Sequence, residues 1–139
     1  MARTIILEIP SRTDHLALVR RVVATAASAG DILPDRRIDD LSLAVSEACA
    51  NAIDAQRPGG STQTVLVTVE LDEDAVAVTV TDHAGGFVPE ELDPLPSVDD
   101  PGRLRHERGL GVPLMRSLAD QVTFTATVDG TEVRITVEG

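Results

Sequence analysis

The stretch Ile38-Asp-Asp-Leu-Ser-Leu-Ala-Val-Ser-Glu-Ala-Cys-Ala-Asn-Ala-Ile-Asp-Ala-Gln56 decides how the rest of the chain is read. At 100° per residue, Ile38, Leu41, Val45, Ala48, Cys49 and Ala52 fall on one face, while Asp40, Glu47, Asn51 and Asp54 form a narrow polar stripe away from it. The spacing predicts an amphipathic helix from about Arg36 to Gln56, preceded by a loop broken at Pro34 and ended by Pro58-Gly59-Gly60.

Upstream, Thr4-Ile-Ile-Leu-Glu-Ile9 is β-branched, short and closed by Pro10, the pattern of a first strand. Ser11 or Thr13 then caps a helix reaching about Ala29, with Leu16, Val19, Val23 and Ala26 or Ala27 at helical spacing and Gly30 as the stop. Downstream, residues 64–71 and 75–81 alternate as strands, and the acidic residues 72–74 between them predict a hairpin. From Asp82 to about Arg108 periodicity disappears and four of the eight prolines fall, which predicts a lid loop over about 84–108. A short helix from about Val112 to Ala119 leads into strands 121–128 and 131–137, joined by the turn signal Asp129-Gly130. This order predicts an α+β fold: a two-layer sandwich whose mixed, mostly antiparallel sheet carries its helices on one face. A doubly wound parallel sheet would alternate more regularly.

With 139 residues the chain suits one domain, 1–139, and its 42% hydrophobic content supports one packed core. All twelve basic residues are arginine, so a P-loop lysine, the ATP-pairing lysine of the common protein-kinase fold and a Schiff-base lysine are excluded. A formal charge of −11 repels nucleic acid and acidic lipid. Two Phe residues and no Tyr or Trp provide no stacking platform for a nucleic acid strand. The one cysteine, Cys49, reads as a small core residue. Without a signal peptide's apolar run or a long apolar segment, the sequence predicts a soluble, cytoplasmic protein with no nucleic-acid or membrane partner.

Three places can carry chemistry. Glu47 and Asn51 are neighbours one helical turn apart, amid the small residues Ser46, Ala48, Ala50 and Ala52. They read either as a solvated helix face or as a carboxylate base beside an amide oxygen suited to magnesium. Asp82-His83-Ala84-Gly85-Gly86-Phe87 begins where a strand ends. It reads either as an Asx-type turn or as a carboxylate that accepts a hydrogen bond from an exocyclic amine, with glycines permitting close backbone approach. Arg108-Gly109-Leu110-Gly111-Val112-Pro113 precedes the short helix, with Arg103, Arg105 and His106 crowded beside it. It reads either as a solvated basic loop or as an anion site, since the N–H groups at a helix start bind phosphate. No P-loop, strand-borne GxGxxG, nucleophile elbow or zinc motif occurs.

Taken in order, Glu47-Ala-Cys-Ala-Asn51, Asp82-His-Ala-Gly-Gly86-Phe87, Gly109-Leu-Gly111 and the later Thr131 resemble the N box, G1 box, G2 box and terminal threonine of the GHKL ATPase superfamily. The resemblance spans nearly the whole chain. Leu43-Ala-Val-Ser-Glu-Ala-Cys-Ala-Asn-Ala-Ile53 and Gly109-Leu-Gly-Val-Pro-Leu-Met-Arg-Ser-Leu-Ala-Asp120 are similar, within it, to the stand-alone serine-protein kinase anti-sigma factors.

The resemblance implies that Asn51 ligates the magnesium bridging the ATP phosphates and that Glu47 is the catalytic base. It implies that Asp82, helped by Thr131, recognises the adenine amine, that Gly86 lets the base lie against backbone, and that Gly109, Leu110 and Gly111 hold phosphates. Arg105 or Arg108 would reach the terminal phosphate. As partners it implies a STAS-type anti-sigma antagonist, phosphorylated on serine, a sigma factor, and a second copy in a homodimer. Two departures stand out: Ala84 replaces the first glycine of the G1 box, and Asp54-Ala55-Gln56 stands where relatives often have a basic residue and a histidine. The second departure motivates an alternative, a non-catalytic ATP-binding interaction module. A detached histidine-kinase catalytic domain is a further alternative, with no phosphoacceptor helix and with His15 as an ordinary helical residue.

Overall fold

The computed structural model describes residues 3–57, 63–84 and 111–139. Among them, strand β1 (Arg3–Pro10) leads through a 3-10 turn (Thr13–His15) into helices α1 (Leu16–Ala29) and α2 (Asp35–Gln56). Strands β2 (Thr64–Leu71) and β3 (Ala75–Asp82) follow, then helix α3 (Gly111–Leu118) and strands β4 (Gln121–Ala126) and β5 (Thr131–Glu138). The five strands form one sheet in the order β1-β2-β3-β5-β4. Every described pairing is antiparallel, so the parallel component allowed by a mixed sheet is not present among the described residues.

Alternation along the strands explains the layering. Val65, Val67, Val69 and Leu71 of β2 are buried with Val76, Val78 and Val80 of β3 and Val133, Ile135 and Val137 of β5. Register aligns these residues in rows, Val69 opposite Val78 opposite Ile135 and Val67 opposite Val80 opposite Val133. Each such side chain contributes about 1.5–3 kcal/mol when fully buried, so this face must be covered. The helices cover it: α2 packs on β3 and β5, α1 on β2, and α3 on β4. The opposite face carries Thr68, Thr79 and Arg134 in one row and is open enough for polar residues, as expected of an antiparallel sheet with one solvated side.

Helix α2 is the centre of the core. Ile38, Leu41, Val45, Ala48, Cys49 and Ala52 are all buried, as the spacing predicts, and Ala44 and Ile53 are buried as well. The wider burial arises because α2 lies between α1, α3 and the sheet, which touch it from different sides. Ser46 faces α1, where its Oγ accepts a hydrogen bond from Arg20 at 3.0 Å. Of the polar stripe, Asp40 pairs with Arg37 at 2.9 Å and Asp54 with Arg57 at 3.0 Å.

Two boundaries differ from expectation for local reasons. The first helix begins as a 3-10 turn, and neither Ser11 nor Thr13 makes a side-chain cap. Its end agrees with expectation, at Ala29 with Gly30 as the cap; Gly30 keeps a right-handed φ of −87°, and Asp31 takes the left-handed φ of 51°, a conformation Asp tolerates better than most residues. The last hairpin reverses around Val128-Asp129, with the Thr127 N–H donating to the Gly130 carbonyl at 2.8 Å, so β4 ends two residues earlier than predicted. No described helix is long and apolar enough to cross a membrane.

Candidate nucleotide site

Asp82 is the last residue of β3 and Thr131 the first of β5, and the register pairs them directly. Both are buried, at 8% and 4% exposure, at the end of the central strands. Beside them, α2 passes with Ala48, Asn51, Ala52 and Ala55 towards a cavity whose other walls are Val80, Val133 and Phe124. The alanines recur about every turn, so the helix presents a low surface there, and a flat apolar group can lie between helix and sheet. Three polar side chains interrupt this apolar lining: Asn51, Asp82 and Thr131.

The hydrogen bonds at Asp82 match the turn reading of the sequence. Its Oδ1 accepts the Ala84 N–H at 3.0 Å, an Asx-type turn, and the Thr131 backbone N–H donates to the same carboxyl group. A carboxylate has about four acceptor positions, so capacity remains for a donor in the cavity. Burial raises the Asp82 pKa, opposed by the Ala84 and Thr131 N–H bonds and by His83. A buried acceptor of this kind gains from any further N–H that reaches it. Thr131 Oγ1 is buried without a hydrogen-bond partner. An orphaned hydroxyl in an apolar cavity is costly unless a ligand or water supplies a partner, and an adenine edge beside the Asp82 carboxylate fits both groups.

Gly130 makes the arrangement possible. A Cβ there would overlap the Asp82 carbonyl oxygen and lie 2.7 Å from the Asp82 carbonyl carbon and 2.9 Å from Oδ1. The glycine is required by this close approach and not by a left-handed φ.

Glu47 and Asn51 are both half-buried on α2, with Asn51 in the cavity wall and Glu47 about 6 Å further along the helix axis. The amide oxygen of Asn51 is a hard neutral ligand that fits magnesium. Among the described residues no group of three or more His, Cys, Asp or Glu could hold a metal ion. Gly111 starts α3, which packs against α2. Gly86, Arg105, Arg108, Gly109 and Leu110, and the lid except for its first residue, lie outside the described residues.

Several residues of the site escaped sequence reasoning. Phe124, Val80 and Val133 form one cross-strand row, which strand register alone could reveal. Phe124 also carries Arg116 over its ring at 5.7 Å, a cation–π contact. Of the small residues around Glu47 and Asn51, Ala48 and Ala52 line the cavity and Ser46 and Ala50 do not.

The sheet order, the helical layer and a cavity at the strand ends lined by an Asn, an Asp and a Thr define an ATPase domain of the histidine kinase-like class. Residues 9–137 match the family model described as a histidine kinase-like ATPase domain, and the chain belongs to that family. Among its relatives is the serine-protein kinase RsbW of Bacillus pumilus, 32% identical over 126 residues that cover 86% of this chain and 76% of that protein. The serine-protein kinase RsbW of Bacillus subtilis is 30% identical over 120 residues, 84% of this chain and 74% of that protein. The Staphylococcus aureus protein of the same name is 30% identical over 123 residues, again 84% of this chain.

Proposed function

We propose that this chain is an ATP-dependent serine-protein kinase and anti-sigma regulator of the cytoplasm, acting on a STAS-type antagonist in a partner-switching circuit. In that circuit it would sequester a sigma factor when unphosphorylated antagonist is absent, and it would work as a homodimer. The observation that carries the nucleotide reading is the buried, unpartnered Thr131 Oγ1 beside Asp82 in a cavity whose remaining lining is apolar except for Asn51. The kinase reading rests on the relatives named serine-protein kinase across more than four-fifths of the chain.

Each residue then has a physical task. Asp82 accepts a hydrogen bond from the exocyclic amine of adenine, and Thr131 satisfies its hydroxyl on the same base edge. Ala48, Ala52, Val80 and Val133 enclose the ring and exclude water from it. Asn51 would hold magnesium, which neutralises charge on the phosphates when bound. Glu47 accepts the proton of the attacking serine hydroxyl as the serine Oγ bonds to the γ-phosphorus. The bond from that phosphorus to the bridging oxygen breaks, and ADP leaves with the electron pair. Such a transfer depends on positioning and charge neutralisation more than on covalent help, which is why a chain without lysine can perform it.

The test combines the protein with radiolabelled ATP, magnesium and candidate STAS-domain antagonists. Transfer to a serine is expected, and Glu47→Gln should lower its rate by about 10²–10⁴-fold while leaving ATP binding intact. Equal transfer by Glu47→Ala and the parent would remove Glu47 from the role of base. A pull-down from source cells with and without ATP identifies the partner.

A second reading, an ATP-binding interaction module without kinase activity, has one observation in its favour. Among the described residues, Asp54 pairs with Arg57, Ala55 lines the cavity and Gln56 is a neutral amide, so none of these three positions itself presents a cation to the phosphates. Tight MgATP binding without transfer to any antagonist would select it.

A further inference from the structure

Gln56, the last residue of α2, is 1% exposed, yet it lines no part of the cavity. Its amide joins three segments that are distant in sequence. Oε1 accepts the His83 backbone N–H at 2.6 Å, and Nε2 donates to Ser11 Oγ at 3.0 Å. The amide orientation is determined by chemistry, since a backbone N–H can only donate and therefore faces the oxygen. Ser11 is itself tied down, its N–H donating to the Gln63 carbonyl at 3.1 Å.

The position of His83 gives this link its meaning. Asp82 is the last β3 residue in register with β5, so the ladder that fixes the backbone ends there. The next N–H, of His83, is held by Gln56, and the one after, of Ala84, holds the Asp82 carboxylate at 3.0 Å. Release of the His83 amide would free the peptide that aims Ala84 at Asp82. The carboxylate would then keep the Thr131 backbone donor and lose its restraint on the other side.

We propose that Gln56 is a positioning residue for base recognition, holding the Asp82-His83-Ala84 turn so that the Asp82 carboxylate meets the exocyclic amine of an adenine ring. This rests on the nucleotide reading above. Gln56 touches no ligand; it acts through His83 and Ala84. Its effect therefore appears in discrimination between bases and not merely in stability.

The test compares affinities for ATP and for purine riboside triphosphate, which lacks the 6-amino group, by calorimetric titration of the full chain. The parent should prefer ATP by about tenfold or more, because a site built to pair a donor rejects the analogue lacking it. Gln56→Met keeps length and volume but neither accepts nor donates as an amide does. It should weaken ATP binding while leaving the analogue nearly unchanged, reducing the preference to about threefold or less. Gln56→Glu presents an acceptor to His83 and a partner to Ser11, and should restore most of the preference. Ser11→Ala removes only the far anchor and should shift the ratio in the same direction by less; it decides the matter if Gln56→Met does not fold. An unchanged preference in Gln56→Met, or equal weakening of both nucleotides, overturns the role of Gln56 while base recognition by Asp82 stands. A parent that binds both nucleotides equally overturns the base-recognition reading and this inference with it.

Discussion

Gly130→Ala adds one methyl group at the point where the β4–β5 turn touches the end of β3. The new Cβ would overlap the Asp82 carbonyl oxygen and stand 2.7 Å from the carbonyl carbon, and both are backbone atoms at the end of the central strand β3. They cannot rotate away as a side-chain tip can. Overpacking of this kind costs about 1–3 kcal/mol. For a chain of 139 residues the entropy of unfolding is about 0.3 kcal/mol/K, so the melting temperature should fall by roughly 3–10 °C. Because the displaced carbonyl belongs to Asp82, ATP affinity should fall as well, by about tenfold for a hydrogen bond to a charged group that is no longer aligned. Gly30→Ala is the control. Its Cβ would meet Ile32 Cδ1 at 2.9 Å, the end of a flexible side chain, and its backbone is right-handed, so the melting temperature should change little or rise. Differential scanning calorimetry and nucleotide titration on the same samples read both effects. A Gly130→Ala protein that melts within 1 °C of the parent and binds ATP equally would refute the claim that close approach at Asp82 requires this glycine.

Burial raises the Asp82 pKa in the folded chain, so its ionised form costs stability: the cost is absent below the ordinary carboxylate range and grows as pH rises through the raised value. In melts from pH 3 to 7 without nucleotide, the melting temperature of Asp82→Asn should therefore move upward relative to the parent as pH rises, while its ATP affinity at pH 7 falls by about 10–100-fold. Asp120 behaves oppositely. The Glu138 N–H at 2.7 Å and Arg37 at 2.8 Å hold its pKa down, so its contribution is present above the ordinary Asp value and is lost as pH falls through the lowered one. Arg37 also donates to the Leu118 carbonyl at the end of α3, and Arg37→Ala should cost about 1–2 kcal/mol after allowance for solvent screening, with reduced loss of stability in acid. Cys49 is fully buried and its thiol pKa is pushed up to about 12, so a thiol reagent at pH 8 should label it only in denaturant; prompt labelling of the native protein would contradict its place in the core.

The helix that opened the sequence reading shows what local pattern can reveal. The apolar positions of α2 and the alternation in β2 and β3 follow from periodicity, because a face must repeat at 3.6 or 2 residues to be buried at all. The acidic hairpin at 72–74 was equally plain, with the Asp72 N–H donating to the Ala75 carbonyl at 3.0 Å. The division of the polar stripe follows from local spacing as well. Asp40 and Asp54 each have an arginine three residues away, Arg37 and Arg57, and pair with it, whereas Glu47 and Asn51 have none at that spacing on the same helix.

Periodicity, turn chemistry and the spacing of four short motifs were enough to determine the α+β class, the layer of helices and the residue types of a candidate nucleotide site. Which of those residues meet depended on strand register and helix packing, properties of contacts between segments that no single segment encodes. Register places Thr131 opposite Asp82 and Phe124 beside Val133, and Gly130 is needed because a carbonyl from β3 lies against it. Gln56 is the clearest case: in sequence it is a polar residue at a helix end, and folding brings Ser11 and His83 to its two ends, 45 and 27 residues away. Long-range hydrogen bonds of this kind leave no periodic trace, because their partners are chosen by the fold and not by the neighbouring chain.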